Sequence, residues 1–241
     1  MFTKQNVEKT IYYSLAIQII TSLVSLDGIN FDLSGRDYVL KDVLKLELVV
    51  QVVETLFYLW VVFASADLNA ITPRRYIDWF ITTPTMLIST IVFMKYQEFK
   101  EKNVDKTIRF FDFLKDEKDN IIKIVIYNGF MLLFGLLGEM NILPKNLSIA
   151  IGFVFFYLSF KLIYDEYGSK SELGKKLFCF LLVVWGLYGV AALFGDVSKN
   201  ISYNFLDIVS KNFYGLFIYY KIRQIGKPNQ NKGKKDLLGS T

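Results

Sequence analysis

The sequence has no histidine, a single cysteine and only four prolines among its 241 residues. One cysteine cannot form an intrachain disulfide, and the position of Cys179 inside an apolar stretch predicts a buried, unreactive thiol. The chain is also short of the imidazole and thiolate ligands that transition metals prefer. We therefore predict neither a disulfide framework nor a metal centre.

Apolar residues are abundant instead. The chain is 53% hydrophobic and 17% aromatic, with a mean hydropathy of +0.33, which is too apolar for an ordinary soluble domain. The apolar stretches cover residues 8–27, 44–66, 73–96, 121–140, 147–165, 173–194 and 201–222. Each is close to the ~20 residues that a helix needs to cross about 30 Å of hydrocarbon. We predict an all-α protein, a single bundle of seven transmembrane helices.

Local signals set the beginnings of two of these stretches. The first is too long for the core of a secretory signal, and no small-x-small cleavage site precedes the polar residues 28–37, so it is interpreted as the first transmembrane helix. In the third stretch, Thr72 can cap a helix and Pro73 suits the first helical position, where its missing N–H is harmless. This pair predicts a helix start at residue 73.

Basic residues are concentrated in alternate connections. The net charge is +5, and the lysines and arginines gather in residues 95–118, in 170–176 and in the tail after 221. The positive-inside rule then places the N-terminus outside and the C-terminus in the cytoplasm. A basic tail next to a membrane helix is expected to lie against anionic lipid rather than nucleic acid. These features are typical of a multi-pass protein of the plasma membrane.

Two regions differ from the apolar stretches. Residues 1–225 are predicted to form the membrane domain, and 226–241 a polar, basic cytoplasmic tail. The long connection at about 97–119 mixes phenylalanines with charges, which fits a short amphipathic helix in the cytoplasmic interface. A solvated charged loop explains the same composition, and the sequence leaves both open.

Polar residues follow one face of the third stretch. Thr82 and Ser89 lie about 40° and 20° from Asp78 around a helix, and Arg75 about 60° away. Ser89 is roughly 16 Å deeper than Asp78 toward the cytoplasm. An ordered stripe of this kind suits a proton or ion path, although interhelical hydrogen bonds that hold a bundle together give the same pattern.

Two ionisable residues lie one turn apart in the seventh stretch. Asp207 and Lys211 are costly inside a membrane-length apolar run, and such residues are usually kept for chemistry. A lysine amine can condense with an aldehyde to form a positively charged imine. The nearby carboxylate would neutralise that charge.

These residues resemble the microbial rhodopsins. RYIDWFITTP at 75–84 looks like the family signature Arg-Tyr-x-Asp-Trp-x-x-Thr-Thr/Val-Pro, and DIVSK at 207–211 matches its Asp-x-x-x-Lys retinal site. WGLY at 185–188 is similar to the family's Trp-x-x-Tyr, while the runs 134–140 and 200–211 look like the proteorhodopsin branch. The motifs lie on different segments in the right order, and the resemblance covers nearly the whole chain.

The resemblance implies a cofactor, all-trans-retinal, bound to Lys211 as a protonated Schiff base. Asp78 would be the primary counterion and proton acceptor, Asp207 the second counterion, and Arg75 would respond on the outer side. The residues implied to line or support the pocket are Tyr58, Trp79, Thr83, Met86, Met131, Gly135, Gly152, Trp185 and Tyr188. Of these, Tyr188 and Tyr58 would hydrogen-bond Asp207. Membrane lipids and protons are the implied partners, and a homo-oligomer, a trimer or pentamer, is the implied assembly.

The chain departs from the family pattern in three places. Ser89 stands where proton pumps usually carry a carboxylate donor, and Glu54 in the second stretch is a candidate replacement, although a static hydrogen-bonded acid fits equally. The histidine that proteorhodopsins pair with the primary counterion is absent. Gly189 replaces a proline that follows the tyrosine of the sixth stretch.

Three functions remain open, none of them enzymatic. Asp78 and Thr82 favour a light-driven outward proton pump, in which Asp78 receives the proton. Glu54 would face the same pathway, and acidic residues on this segment are typical of light-gated cation channels. A missing donor would slow the photocycle, which suits a photosensory rhodopsin.

Overall fold

The computed structural model describes residues 3–63 and 68–228. The outermost residues of the second predicted stretch and most of the predicted tail, from 229 onward, lie outside the described residues. The α-helices are α1 (Lys4–Asp27), α2 (Val39–Phe63), α3 (Leu68–Glu101), α4 (Phe110–Asp116), α5 (Lys118–Glu139), α6 (Lys145–Glu166), α7 (Glu172–Ala191), α8 (Asp196–Asp207) and α9 (Phe213–Ile225). A π-helical segment, Ile208–Asn212, joins α8 to α9, so the two form one continuous rod.

The helices form the predicted seven-helix bundle. Within the described residues, six helical segments are long and apolar enough to cross a membrane, the ones built on α1, α2, α3, α5, α6 and α7. The α8–α9 rod is the seventh, and it is more polar because it carries Asp207, Lys211 and three asparagines. The large apolar side chains that stay exposed, such as Val52, Leu56 and Ile77, point away from the bundle. That distribution suits a protein surrounded by hydrocarbon.

Local chemistry explains several helix ends. Thr3 caps α1, since its hydroxyl accepts from the Asn6 N–H while the Asn6 side chain accepts from the Thr3 N–H. Ser171 caps α7 in the same way by accepting from the Gly174 N–H at 3.0 Å. Each satisfies backbone N–H groups that a helix start leaves without intrahelical partners.

The predicted start of the third helix is wrong. Helix α3 already runs from Leu68, so Pro73 lies inside it and Thr72 does not cap it. The Thr72 hydroxyl instead accepts a hydrogen bond of 3.2 Å from the Asn200 amide of α8. A tertiary contact therefore takes the side chain that the local signal assigned to a cap.

Short elements close one end of the bundle. Phe31–Asp32, after α1, pairs antiparallel with Lys227–Pro228, after α9. The first connection and the end of the seventh helix thus lie on the same face, as seven alternating spans require. The connection between α3 and α5 contains α4, whose Phe113 is buried while Phe111 is exposed.

One buried residue was predicted wrongly. Cys179 is exposed on α7 rather than buried. Its neighbours Phe178 and Leu177 face the core, and the 3.6-residue period leaves Cys179 on the outer side.

Candidate functional site

The amine of Lys211 lies among three carboxyl groups. Its Nζ is 2.7 Å from Asp78 Oδ2, 3.3 Å from Glu54 Oε1 and 3.4 Å from Asp207 Oδ1. Lys211 is only 2% exposed, and the three acids are buried as well. The resemblance implies Asp78 and Asp207 as counterions of this amine, and the sequence leaves Glu54 as a candidate proton donor. The structure places Glu54 directly against the amine.

Lys211 lies in the π-helical segment Ile208–Asn212. A π bulge inserts one extra residue into a turn of an α-helix. Such bulges are the usual form of π-helix in proteins, and they occur frequently at functional sites. Here it separates α8 from α9 at the residue that carries the amine. Nothing in the local sequence predicts this widening, because no proline or glycine marks it.

Asp207 is held by groups from three other helices. Tyr58 on α2 donates to Oδ2 at 2.8 Å, and Tyr188 on α7 donates to Oδ1 at 2.8 Å. Arg75 on α3 forms an ion pair with Oδ2 at 3.0 Å, and both side chains are 1% exposed. Charge-assisted hydrogen bonds of this kind fix the carboxylate in place.

A second polar cluster lies before Asp207 on α8, next to Arg75. Asn204 Oδ1 accepts from the Arg75 guanidinium, and Asn204 Nδ2 donates to Thr10 on α1 at 2.8 Å. Asn200 Oδ1 accepts from Arg75 Nε at 3.5 Å. The sequence analysis missed both asparagines. Their spacing was a readable signal, because residues 200, 204, 207 and 211 share one helix face.

The side of the site away from Arg75 contains an acid that the sequence analysis did not identify. Glu47 on α2 is fully buried, and its carboxyl group hydrogen-bonds the hydroxyl of Ser89 on α3. Ser89 therefore has a carboxyl partner next to it, although it is no acid itself. Glu47, Gln51, Glu54 and Tyr58 recur at the spacing of one buried face of α2, which the sequence could have revealed.

Helix α1 carries a similar buried polar face. Ser14, Gln18, Thr21 and Ser25 are all buried, and they follow each other at intervals of three or four residues. Thr21 hydrogen-bonds the Asn212 side chain, next to Lys211. Both amide atoms of Gln18 and of Gln51 lack hydrogen-bond partners among the described residues. Buried polar atoms of this kind are normally paired with protein or with water.

Lys211 also lines a largely apolar cavity. Its volume is about 790 Å³, counting the space at its open side. Nine of the residues that line it are Trp79, Thr83, Met86, Met131, Gly135, Gly152, Trp185, Tyr188 and Lys211. With an amine at one end and aromatic walls, this cavity suits a long apolar aldehyde. Retinal, which is such an aldehyde, fits these residues.

Glycines shape the cavity at two points. A Cβ at Gly135 would lie 2.6 Å from the Tyr76 hydroxyl, and one at Gly189 would lie 2.4 Å from the Phe153 ring. Real Cβ atoms do not approach other atoms so closely. Gly189, which departs from the family pattern, therefore allows α7 to approach the ring of Phe153 on α6.

The remaining predicted residues have other contacts. Tyr58 does not line the cavity; it supports Asp207 instead. The Thr82 hydroxyl donates to the backbone carbonyl of Asp78 at 3.0 Å. Thr83 accepts from Asn128 Nδ2 on α5 at 2.8 Å, a partner that the sequence analysis missed.

Comparisons with known proteins give a consistent family. The family described as "Bacteriorhodopsin-like protein" matches residues 9–225. No curated protein matches the sequence.

Solved structures of microbial rhodopsins share the fold. The viral rhodopsin OLPVRII is 24% identical, with 91% of this chain and 98% of that one covered and a TM-score of 0.76. A blue light-absorbing proteorhodopsin from Med12 is 17% identical, with coverages of 90% and 97% and a TM-score of 0.68. Halorhodopsin from Halobacterium salinarum is 15% identical, with coverages of 92% and 97% and a TM-score of 0.67. The chain therefore belongs to the bacteriorhodopsin-like family and has the seven-helix fold of the microbial rhodopsins.

Proposed function

We propose that this protein is a light-gated cation channel of the cell membrane, with retinal bound covalently at Lys211. Bound retinal would supply a chromophore that changes shape when it absorbs light. The observation that carries the proposal is the buried polar face that α1 and α2 turn toward Lys211. It extends from Glu54, against the amine, to Glu47, against Ser89.

The polar face on α1 and α2 favours conduction because its unpaired polar groups require water. Gln18 and Gln51 are fully buried, yet their side-chain amide atoms have no hydrogen-bond partners among the described residues. Water molecules in a polar, enclosed space satisfy such groups. A pump must keep one half of its ion path closed while the other half is open. A channel, by contrast, needs a continuous hydrated path and a gate.

The charges around Lys211 suit a cation path. Arg75 and Lys211 face Asp78, Asp207 and Glu54, so this buried cluster holds one more carboxyl group than cations. Uncompensated charge in a low-dielectric site is unfavourable. The excess acid would be balanced by a proton or a passing cation. Glu54 is our candidate, since its one close cation among the described residues is Lys211 at 3.3 Å, whereas Asp207 also pairs with Arg75.

In the proposed cycle, each residue of the site has a distinct role. Asp78, the acid nearest the amine, receives the proton released from the Lys211 nitrogen after illumination. Arg75 and the two tyrosines hold Asp207 charged and fixed. Ser89 and Glu47 close the inner end of the path in the dark through their mutual hydrogen bond.

An outward light-driven proton pump is the second candidate. The contact of 2.7 Å between Lys211 Nζ and Asp78 favours it, because a pump needs a direct acceptor on the outer side. Sequence analysis alone favours this function, since Asp78 and Thr82 are both present. The buried polar groups on α1 and α2 reverse the preference, because proton transfer to Asp78 does not require them.

Voltage clamp of illuminated, retinal-supplied cells separates the candidates. A channel passes current whose sign follows the electrochemical gradient and reverses with it. Outward current that persists against an opposing gradient would support the pump and contradict our proposal. An absence of any photocurrent in protein with a visible absorption band would leave a photosensory role.

A further inference from the structure

Gln51 has an unusual environment on α2. It lies one turn from Glu47 and one turn from Glu54, and it is fully buried. Neither its amide oxygen nor its amide nitrogen has a hydrogen-bond partner among the described residues. A primary amide offers two donors and one strong acceptor, so leaving all of them unused in a dry core is unfavourable. The geometry requires a polar occupant next to this amide.

Gly215 on α9 makes room for this amide. A Cβ built on Gly215 would lie only 2.2 Å from Gln51 Nε2 and 3.8 Å from the Glu47 Cβ. Any side chain at 215 would therefore push the amide out of its place. Gly215 follows Lys211 by one helical turn, so the amide lies just inward of the site.

The same turn of the last rod faces a polar group of α1. Asn212, three residues before Gly215, hydrogen-bonds Thr21 through its oxygen, and its Nδ2 has no partner among the described residues. Two amide nitrogens without partners, Gln51 Nε2 on α2 and Asn212 Nδ2 on the last rod, thus lie near Gly215. Glu54 and Glu47 flank Gln51 on α2, one turn away on either side.

We propose that Gln51 determines the cation specificity of the path, and that Gly215 holds its amide in the conducting position. The proposal rests on the light-gated conduction proposed above. A neutral amide oxygen replaces part of the hydration shell of an alkali metal cation without holding it as tightly as a carboxylate would. The two flanking glutamates attract the cation, and the amide lets it move on. Na⁺ or K⁺ would then pass in addition to protons.

The first test adds one methyl group. Gly215→Ala places a Cβ where the Gln51 amide now lies and drives the amide out of position. We expect the Na⁺ photocurrent to fall about tenfold, equivalent to a barrier raised by about 1.4 kcal/mol. The absorption maximum should stay unchanged. Gly129→Ala is the matched control, because it is also a helical glycine but has open space where its Cβ would lie. It should leave the current unchanged.

The second test removes the amide. Gln51→Ala should shift the reversal potential toward that of protons when external Na⁺ is replaced, because the metal cation loses its ligand. In the double variant Gln51→Ala/Gly215→Ala, the methyl group has no amide to displace. We therefore expect the double variant to match Gln51→Ala, which is a strongly non-additive double-mutant cycle.

The outcomes distinguish the two proposals. If the unmodified protein passes no gradient-following current, the channel proposal fails and this inference fails with it. If the unmodified protein conducts but Gly215→Ala behaves like Gly129→Ala, only the role of Gln51 is overturned. The role of Gln51 would also be overturned if Gly215→Ala lowered the Na⁺ photocurrent equally with and without Gln51, because the methyl group would then not act through the amide.

Discussion

At the scale of single residues, the behaviour of the site depends on how three acids share one amine. Asp78 is nearest to Lys211, Asp207 is shared with Arg75, and Glu54 lies 3.3 Å from the amine. Their different surroundings give chemically similar groups different tasks. The acid closest to the amine is suited to accept a proton, and the most constrained one to remain a fixed anion.

The lysine defines the first prediction. Lys211→Ala should abolish the visible absorption band, because no other amine is described in the cavity. Absorption spectra of purified protein after incubation with retinal measure this. Retinal supplied as a preformed imine with a small primary amine should restore the band, since the cavity walls are intact. A visible band in Lys211→Ala without added amine would refute the assignment.

The second prediction concerns the two acids Asp78 and Glu54. An anion near the positively charged nitrogen stabilises the ground state, so its removal should shift absorption to longer wavelength. Asp78→Asn should give a larger shift than Glu54→Gln, because the distances to Nζ are 2.7 Å and 3.3 Å. Spectra of the two neutral isosteric variants at one pH provide the comparison. A larger shift for Glu54→Gln would show that the order of the counterions is wrong.

At the scale of helices, polar residues at intervals of three or four make up the functional core. Helices α1, α2, α3 and the α8–α9 rod each turn such a face inward. The face on α3 was recognised from sequence, as were Asp207 and Lys211 on the rod, since charged residues are conspicuous in apolar surroundings. The face on α1 was missed and that on α2 was recognised only at Glu54 and Tyr58, because glutamine, serine and threonine stand out less. The spacing from Glu47 to Tyr58 was nonetheless readable.

Other features of the helices were beyond local sequence signals. The π turn at Lys211 and the engagement of Thr72 by Asn200 depend on contacts between distant segments. Local propensity favoured a cap at Thr72, but a tertiary hydrogen bond determined its role. Partners such as Asn128 for Thr83 require knowledge of which helices are neighbours.

A buried ion pair between helices gives the third prediction. Lys199 on α8 pairs with Glu139 on α5 at 2.6 Å, and the two side chains are 3% and 9% exposed. Glu139→Gln should lower the thermal bleaching midpoint. The loss in stability should be below the about 3–5 kcal/mol typical of breaking a buried pair, because Asp196 remains 3.0 Å from Lys199.

The control for this prediction is an exposed pair. Lys161 and Asp165 lie four residues apart on α6 and are about half exposed. Ion pairs of this kind contribute little to stability. Asp165→Asn should leave the bleaching midpoint unchanged. If Glu139→Gln and Asp165→Asn lowered the bleaching midpoint equally, the Lys199–Glu139 pair would not specifically stabilise the packing of α8 against α5.

At the scale of the whole molecule, hydropathy identifies six spans among the described residues, and the more polar α8–α9 rod completes the seven-helix fold of the family. The described residues form seven spans, so the start of α1 and the end of α9 lie on opposite sides. The pairing of Phe31–Asp32 with Lys227–Pro228 agrees with this topology. Which side is cytoplasmic rests on the charge distribution.

Orientation is the subject of the fourth prediction. In a Cys179→Ala background, Ile142→Cys should react with a membrane-impermeant maleimide on intact cells, since Ile142 is 60% exposed between α5 and α6. Lys106→Cys, in the basic connection after α3, should react only after permeabilisation. The positive-inside rule is the reason. The opposite labelling pattern would invert the predicted orientation.

The reversal potential of the photocurrent tests the central claim most directly. In retinal-supplied cells under voltage clamp, external Na⁺ is lowered tenfold at constant pH. Our account predicts that the photocurrent reverses sign with voltage and that its reversal potential moves toward the limit of about 59 mV per tenfold change for a single charge. An outward current that never reverses, at any Na⁺ concentration, would contradict the channel and leave the proton pump as the better account.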